Sequence, residues 1–155
     1  MADAFSGEGA RPYGGRWNPK GMQVVYTASS RALAILEMLI QDQPLRARYV
    51  IVAAKVPSTV RIERVAASAL PADWANVQYS TELRAIGAHW LKCAKAAVLC
   101  VPSTVVASEY NHLLNPAHTE FSRIKQSRFE PLTTDHRLLQ KLSDATRRKS
   151  RTTRT

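Results

Sequence analysis

Glycine is concentrated in one short stretch of this chain. Residues 5–21 hold five of the six glycines and two of the eight prolines. Neither a helix nor a strand persists through such a segment, because glycine adds backbone freedom and proline removes a hydrogen-bond donor. A loop of this length in a compact domain usually serves a function, and this one carries Arg16 and Trp17 on a backbone that a ligand can approach closely. The fold is therefore expected to include a long ordered loop.

Apolar runs that predict strands follow this loop. They lie at residues 22–27, 49–56, 60–65 and 96–101, and a last strand is expected within 124–132. Because the run at 49–56 is rich in β-branched residues, we expect it in the middle of the sheet. The run at 60–65 alternates apolar and charged residues, which is typical of an edge or half-exposed strand.

Helix signals separate the strands. Ser29 or Ser30 is placed to cap a helix over residues 31–41, which ends before Pro44. The other expected helices run from Ser80 or Thr81 to about Cys93, from Pro116 (after an Asn115 cap) toward Phe121, and from Asp135 toward Leu142. Four to six short strands mixed with helices predict an α+β fold, without fixing the strand order.

Length and composition indicate one globular domain. The chain has 155 residues, of which 45% are hydrophobic and 22% charged. No apolar run reaches the roughly 18 residues of a membrane-spanning helix, so no membrane association is expected. The N-terminus lacks the basic and apolar regions of a secretory signal, which makes the cytoplasm the expected location.

The two cysteines are too few for a disulfide framework, and both are expected to be reduced. His89 and Cys93 share a helical face and, with Cys100, would supply three metal ligands. No fourth ligand has a recognisable spacing. Core packing therefore explains these residues better than a metal site, and no metal is expected.

The net charge of +10 is concentrated at the C-terminal end. Residues 1–122 hold 12 basic and 9 acidic residues, whereas residues 123–155 hold 10 and 3. We therefore expect a folded domain over 1–142 and a basic, flexible tail over 143–155. A role in solubility explains such a tail, and an acidic or nucleic-acid partner is the alternative.

Glu37 is the sharpest anomaly in the sequence. Its neighbours in the predicted helix are apolar, so its carboxylate must be paired, hydrogen-bonded, exposed or at a cleft. Taken alone, a solvated or paired structural glutamate explains it better than a functional one. Three further residues stand where strands and loops collect functional groups: Arg16 in the glycine-rich loop, Tyr26 at a strand end and Ser103 just after a strand. An arginine, an aromatic ring, a carboxylate and a hydroxyl would suit a pyrophosphate-containing nucleotide.

Motifs around these residues resemble the RES-domain family, named for its Arg, Glu and Ser. The segments that carry the resemblance are Phe5 to Arg11, Gly14 to Asn18, Val24 to Tyr26, Leu36-Glu37, Val101 to Ser103 and Leu113 to Pro116. The match extends from about Phe5 to Leu138. The resemblance implies a split mixed β-sheet with flanking helices, similar to ADP-ribosyltransferases. It also implies a bacterial type II toxin that acts on NAD, together with an Xre-type antitoxin that forms a hetero-oligomer with it.

The resemblance leaves two enzymatic outcomes open. Family members either release nicotinamide and degrade NAD by hydrolysis or phosphorolysis, or transfer ADP-ribose to a target protein. In both cases the resemblance assigns catalysis to Glu37, Arg16, Tyr26 and Ser103, without a metal. NAD binding is expected at Arg16, Tyr26 and Ser103 and at two further loop residues, Trp17 and Asn18.

A different class of function stays open beside these. The basic C-terminal end and the four histidines, at positions 89, 112, 118 and 136, would suit a nucleic-acid binder or a toxin ribonuclease. The histidines show no catalytic pairing, so structural or capping roles explain them better.

Overall fold

The protein is described from a computed structural model, which covers residues 4–41, 49–76 and 81–133. The strands are β1 (Val25–Ala28), β2 (Val50–Ile51), β3 (Ala54–Lys55), β4 (Ile62–Arg64), β5 (Val98–Pro102), β6 (Tyr110–Leu114), β7 (Lys125–Gln126) and β8 (Glu130–Pro131). The helices are α1 (Arg31–Gln41) and α2 (Thr81–Cys93), with 3₁₀-helices at Ala67–Ala69 and Thr119–Arg123.

The main sheet has four strands in the order β1-β6-β5-β4. β1 and β5 both pair with β6 in antiparallel fashion, whereas β4 pairs with β5 in parallel, so the sheet is mixed. All five residues of β5 are buried, as expected for an apolar run in the interior of a sheet. The α+β fold with a mixed sheet and flanking helices is confirmed.

Hydrophobic side chains cover both faces of this sheet. Leu99, Val101 and Leu113 pack with α2 and the glycine-rich loop on one face. Val98 and Leu114, on alternate positions of the same two strands, pack on the other face. The glycine-rich loop is thus held against the same face as α2, through Trp17, which is 3% exposed.

Two small sheets lie beside the main one. β2 pairs with β8, and β3 pairs with β7. The prediction that residues 49–56 lie mid-sheet is therefore wrong, because β-branched residues favour a pleated surface without determining how many strands flank it. The strand expected within 124–132 likewise forms two separate pieces. The edge position predicted for 60–65 is confirmed, since β4 pairs with β5 alone among the described residues.

The helices at 31–41 and up to Cys93 are confirmed. Ser30 caps α1 by accepting a hydrogen bond from the Leu33 N–H at 3.1 Å. Thr81 is the first residue of α2 rather than its cap, and Ser80 lies outside the described residues.

The segment after β6 begins with a turn instead of a helix. Asn115 Oδ1 accepts from the Ala117 N–H, and the 3₁₀-helix starts only after His118, whose Nδ1 accepts from the Glu120 N–H. A capping role for His118 is therefore confirmed. The helix expected from Asp135, His136 and the tail over 143–155 lie outside the described residues. No helix among the described segments has the length and apolar character that crossing a membrane requires.

Candidate functional site

Glu37 points from α1 to the end of the main sheet. Its Oε1 accepts a hydrogen bond from Ser103 Oγ at 2.9 Å and another from Asn111 Nδ2 at 2.6 Å. Ser103 follows β5 directly and Asn111 belongs to β6. Glu37 is therefore held through one carboxylate oxygen by two residues that follow it by 66 and 74 positions, and we name these three residues the carboxylate cluster.

Ser103 is oriented by its own backbone surroundings. The residue is 1% exposed, and its Oγ accepts hydrogen bonds from the N–H groups of Val105 at 3.0 Å and Val106 at 3.2 Å. Because these two donors occupy the lone pairs of the oxygen, the hydroxyl proton is directed to Glu37. The serine therefore acts as a fixed donor within the carboxylate cluster.

Asn111 is the member of this cluster that sequence reasoning missed. It lies opposite Ala28 of β1 and Val101 of β5 in the central strand β6. The strand itself was not expected. Its first three residues, Tyr-Asn-His, are polar or amphipathic, so the two apolar residues that follow, Leu113 and Leu114, are too few to indicate a strand. An asparagine two residues before the buried Leu113 would have been the signal, since alternate residues of a strand share a face.

Arg16 is held by main-chain oxygens. Its Nη1 donates to the carbonyl oxygens of Trp74 at 3.0 Å and Asn76 at 2.9 Å. Arg16 is half-buried, so these carbonyls fix the position of a positive charge at the surface of the glycine-rich loop. No sequence pattern could indicate these partners, because they are backbone groups.

Tyr26 joins the strand β1 to the same loop. Its hydroxyl donates to Asn18 Oδ1 at 2.7 Å and accepts from the Trp17 N–H at 3.2 Å. A Cβ atom at Gly15 would lie 2.6 Å from the Tyr26 hydroxyl, so only glycine lets the loop close this tightly on the ring. Tyr26 as a whole is 40% exposed, which leaves part of it accessible to a ligand.

Trp17 and Asn18 serve the loop and the core in this structure. Asn18 is completely buried, and its Nδ2 donates to the carbonyl oxygens of Met22 at 3.0 Å and Pro19 at 3.3 Å. Trp17 packs in the core beside α2. Their expected role in NAD binding stays a prediction, and both side chains as placed here hold the loop in shape.

α2 fixes the loop from the other side. A Cβ atom at Gly87 would lie 1.7 Å from the Trp17 carbonyl oxygen, so the helix approaches the loop at a distance that only glycine permits. One turn earlier, Arg84 Nε donates to the Gly15 carbonyl oxygen at 3.2 Å. The glycines at 15 and 87 therefore position the loop that carries Arg16.

His112 faces away from the carboxylate cluster. It lines a largely apolar cavity of about 560 Å³ between β1, α1 and the β2–β3 segment. Burial lowers the pKa of His112, and the positive charge of Arg64 lowers it further. Burial likewise raises the pKa of the Cys100 thiol, against the smaller opposing effect of Arg64.

The cysteines are reduced, and the structure separates them. Cys100 is buried in β5, whereas Cys93 is exposed at the end of α2 with its Sγ 3.4 Å from His89 Nε2. Core packing is therefore right for Cys100 and wrong for His89 and Cys93. Within the part of the chain that the structure describes, no three His, Cys, Asp or Glu side chains converge as metal ligands would.

Comparison with known proteins agrees with the family resemblance of the sequence. The family model of the RES domain matches residues 1–138. A "Prs ADP-ribosylating toxin" of Sphingobium sp. (strain YBL2) is 38% identical over 146 residues, which are 90% of this chain and 89% of the relative. A "Toxin Res" of Photorhabdus laumondii is 36% identical over 125 residues, covering 79% of this chain and 80% of that protein.

A solved structure has the same fold. It is a chain of the crystal structure of the M. tuberculosis MbcT–MbcA toxin–antitoxin complex, with a TM-score of 0.74 and 23% identity. The match covers 92% of this chain and 83% of that one. At this identity the likeness concerns the fold alone, whereas the family model and the relatives agree over most of the sequence. This chain therefore belongs to the RES-domain family.

Proposed function

We propose that this protein is a toxin that cleaves the nicotinamide–ribose bond of NAD and degrades the dinucleotide in the cytoplasm. The observation that carries the proposal is the carboxylate cluster, in which two side-chain donors hold Oε1 of Glu37. Both bonds end on Oε1 of this half-buried side chain, and in this proposal Oε2 is the oxygen that faces the ligand. A carboxylate fixed through one oxygen and open through the other suits an electrostatic catalyst.

The chemistry needs a negative charge below the ribose. When the C1′–N bond breaks, its electron pair leaves with the nicotinamide nitrogen, and positive charge builds up on C1′ and the ring oxygen. Glu37 stabilises this cation more strongly than the neutral ribose of the ground state, which lowers the barrier. An oxygen of water or phosphate then bonds to C1′, and its proton passes to solvent.

The other residues bind and orient NAD. Arg16, anchored by two carbonyl groups, provides a positive charge for the pyrophosphate. The accessible part of the Tyr26 ring packs on nicotinamide. Ser103 acts by directing Glu37, since its hydroxyl proton is already donated to that carboxylate.

A second outcome has a specific observation in its favour. The Sphingobium relative is named an ADP-ribosylating toxin, and an enzyme of that kind transfers ADP-ribose from NAD to a protein. In that case a nucleophilic atom of a target protein replaces water or phosphate at C1′. Bond cleavage above Glu37 is the same in both reactions, so the acceptor alone separates them.

The product mixture distinguishes the two outcomes. Purified protein is incubated with adenine-labelled NAD, with and without phosphate, and then in a cell lysate. Degradation predicts ADP-ribose, or its 1-phosphate when phosphate is present, without labelled protein. Transfer predicts labelled protein bands in the lysate. If NAD stays intact under all conditions, the proposal is wrong.

A nucleic-acid reaction makes a separate prediction. RNA cleavage that persists in Glu37→Gln and after removal of residues 143–155 would favour a ribonuclease instead. The same truncation tests the proposed division into a RES domain over 1–142 and a basic tail, because NAD cleavage should not depend on the tail.

We further propose an antitoxin with an Xre-type helix-turn-helix domain as the partner. The fold is shared with a chain from a toxin–antitoxin complex, and a toxin of this kind must be inactivated in its host. A segment of the antitoxin laid over the glycine-rich loop, with an acidic group near Arg16, would block the pyrophosphate position. NAD cleavage that is unaffected by a stoichiometric amount of the co-encoded protein would contradict this inference.

A further inference from the structure

We infer that Asn111 is a positioning residue for the reaction, acting on NAD only through Glu37. The inference rests on the proposed function of the carboxylate cluster. The Asn111 Nδ2 lies 2.6 Å from Glu37 Oε1, the shorter of the two hydrogen bonds that hold this oxygen. Because the donor is part of a central strand, it fixes the carboxylate relative to the whole sheet.

The amide oxygen of the Asn111 side chain lies in an unfavourable environment. Asn111 Oδ1 is buried and has no hydrogen-bond partner among the described residues. Turning the amide over would satisfy neither group, since it would place this oxygen against the carboxylate of Glu37. A buried carbonyl without a partner costs stability, and such groups are rare in folded proteins.

This asymmetry argues against a purely structural role. The position faces the same side of the sheet as Leu113, which is fully buried, and an apolar residue at 111 would avoid the unpaired oxygen. What an apolar residue cannot supply is the second donor to Glu37. Ser103 alone would leave the carboxylate able to rotate about a single hydrogen bond. Asparagine at this position therefore fixes the carboxylate in one orientation.

A kinetic double-mutant cycle tests the inference. Turnover is measured for wild type, Asn111→Ala, Glu37→Gln and the double variant, after establishing that the wild type cleaves NAD. We expect Asn111→Ala to lower kcat about tenfold or more with KM changed less than about twofold, because geometry and not binding is lost. In the Glu37→Gln background the same substitution should change kcat less than about twofold, because its effect passes through Glu37.

Asn115 provides the matched control. It is an asparagine too, although buried where Asn111 is half-buried; it directly follows β6, and its side chain caps a turn. Any loss of turnover in Asn115→Ala should be of equal size in both backgrounds. Asn111→Leu, which keeps about the same volume and removes the donor without adding a charge, should show the same coupling as Asn111→Ala and replaces it if the alanine variant does not fold.

The outcomes separate this inference from the proposed function. If wild-type protein does not cleave NAD, the proposed function fails before Asn111 is tested. If it does, an unchanged kcat in Asn111→Ala overturns the positioning role. Equal losses in both backgrounds overturn it as well, because they would show that Asn111 acts independently of Glu37.

Discussion

The two halves of the candidate site are held by different kinds of contact. Glu37 is bound by the side chains of Ser103 and Asn111, which stand at the end of one strand and within another. Arg16 is bound by the main-chain carbonyls of Trp74 and Asn76, which belong to an irregular segment. The negative group is thus positioned by the sheet and the positive group by loops.

This difference determines which substitutions should disturb Glu37 and which should disturb Arg16. A side-chain hydrogen bond is lost when its partner is substituted, whereas a main-chain carbonyl survives substitution and is lost only when the backbone moves. The glutamate should therefore respond to changes in its partners. The arginine should respond to changes that shift the glycine-rich loop, above all at Gly15 and Gly87, where a Cβ atom has no room.

The largest effect is expected from Glu37→Gln. The substitution keeps the size and removes the charge, so turnover should fall about a hundredfold or more with little change in KM. The measurement is the rate of nicotinamide release over a range of NAD concentrations. Glu63→Gln, an exposed change on β4 at the far edge of the sheet, is the matched control and should keep wild-type turnover. Equal rates for both variants would remove Glu37 from its proposed role.

Gly87→Ala should displace the glycine-rich loop, which carries the Arg16 half of the site. With the new Cβ atom 1.7 Å from the Trp17 carbonyl oxygen, α2 and the loop must separate, at a cost of about 1–3 kcal/mol in the free energy of unfolding. KM for NAD should rise more than kcat falls, because the displaced loop carries Arg16. Gly9→Ala is the control, since nothing lies within 4 Å of its Cβ position. Urea unfolding of both variants measures the difference, and equal stability would show that the loop is not clamped by α2.

Arg16→Lys should have a moderate effect on binding. Lysine keeps the charge but loses the planar guanidinium, whose Nη1 donates to both carbonyls and whose fork of donors suits a pyrophosphate, so KM should rise about tenfold and kcat should change less. Arg11→Lys in the same loop, where Arg11 is exposed and pairs with Glu8, should leave KM unchanged. A KM for Arg16→Lys equal to that of wild type would contradict contact with the pyrophosphate.

Local patterns predicted those parts of the fold that depend on local signals. The cap and the apolar content around residues 31–41 and the buried run after Cys93 were sufficient for α1 and β5. β6 was missed although it is a central strand, because its polar start supports the site instead of the core. The mid-sheet prediction for residues 49–56 failed for a related reason, since composition does not specify which strands pair.

The site was predictable as separate residues and not as an arrangement. Glu37 stood out as a charge among apolar neighbours, but its partner Ser103 is 66 residues away and their contact depends on the fold. Asn111 was overlooked because its signal, a spacing of two residues from the apolar Leu113, has meaning only once residues 110–114 are taken as a strand. The carbonyls that hold Arg16 are main-chain atoms and leave no trace in a side-chain pattern.

The smallest effect is expected from His112, the neighbour of Asn111 on β6, through the pH dependence of folding stability. Burial, and to a smaller degree the charge of Arg64, lowers the pKa of His112 below its ordinary value of 6.5. The unfolded chain therefore binds a proton more readily than the folded one as pH falls through about 6.5, so folding stability declines with acidification and is fully retained above that pH. In His112→Gln this part of the decline should disappear. The measurement is the difference in urea midpoint between about pH 7.5 and about pH 5.5.

The same titration separates the two halves of the site in function. His112 directly follows Asn111 on β6, so a proton taken up by its half-buried imidazole should disturb the strand that carries the donor to Glu37, whereas Arg16 and its carbonyl partners lie on other segments. Mild acid should therefore lower kcat more in wild type than in His112→Gln and leave the ratio of their KM values constant. An equal acid dependence of kcat in both proteins would show that proton uptake by His112 does not reach the carboxylate cluster through β6.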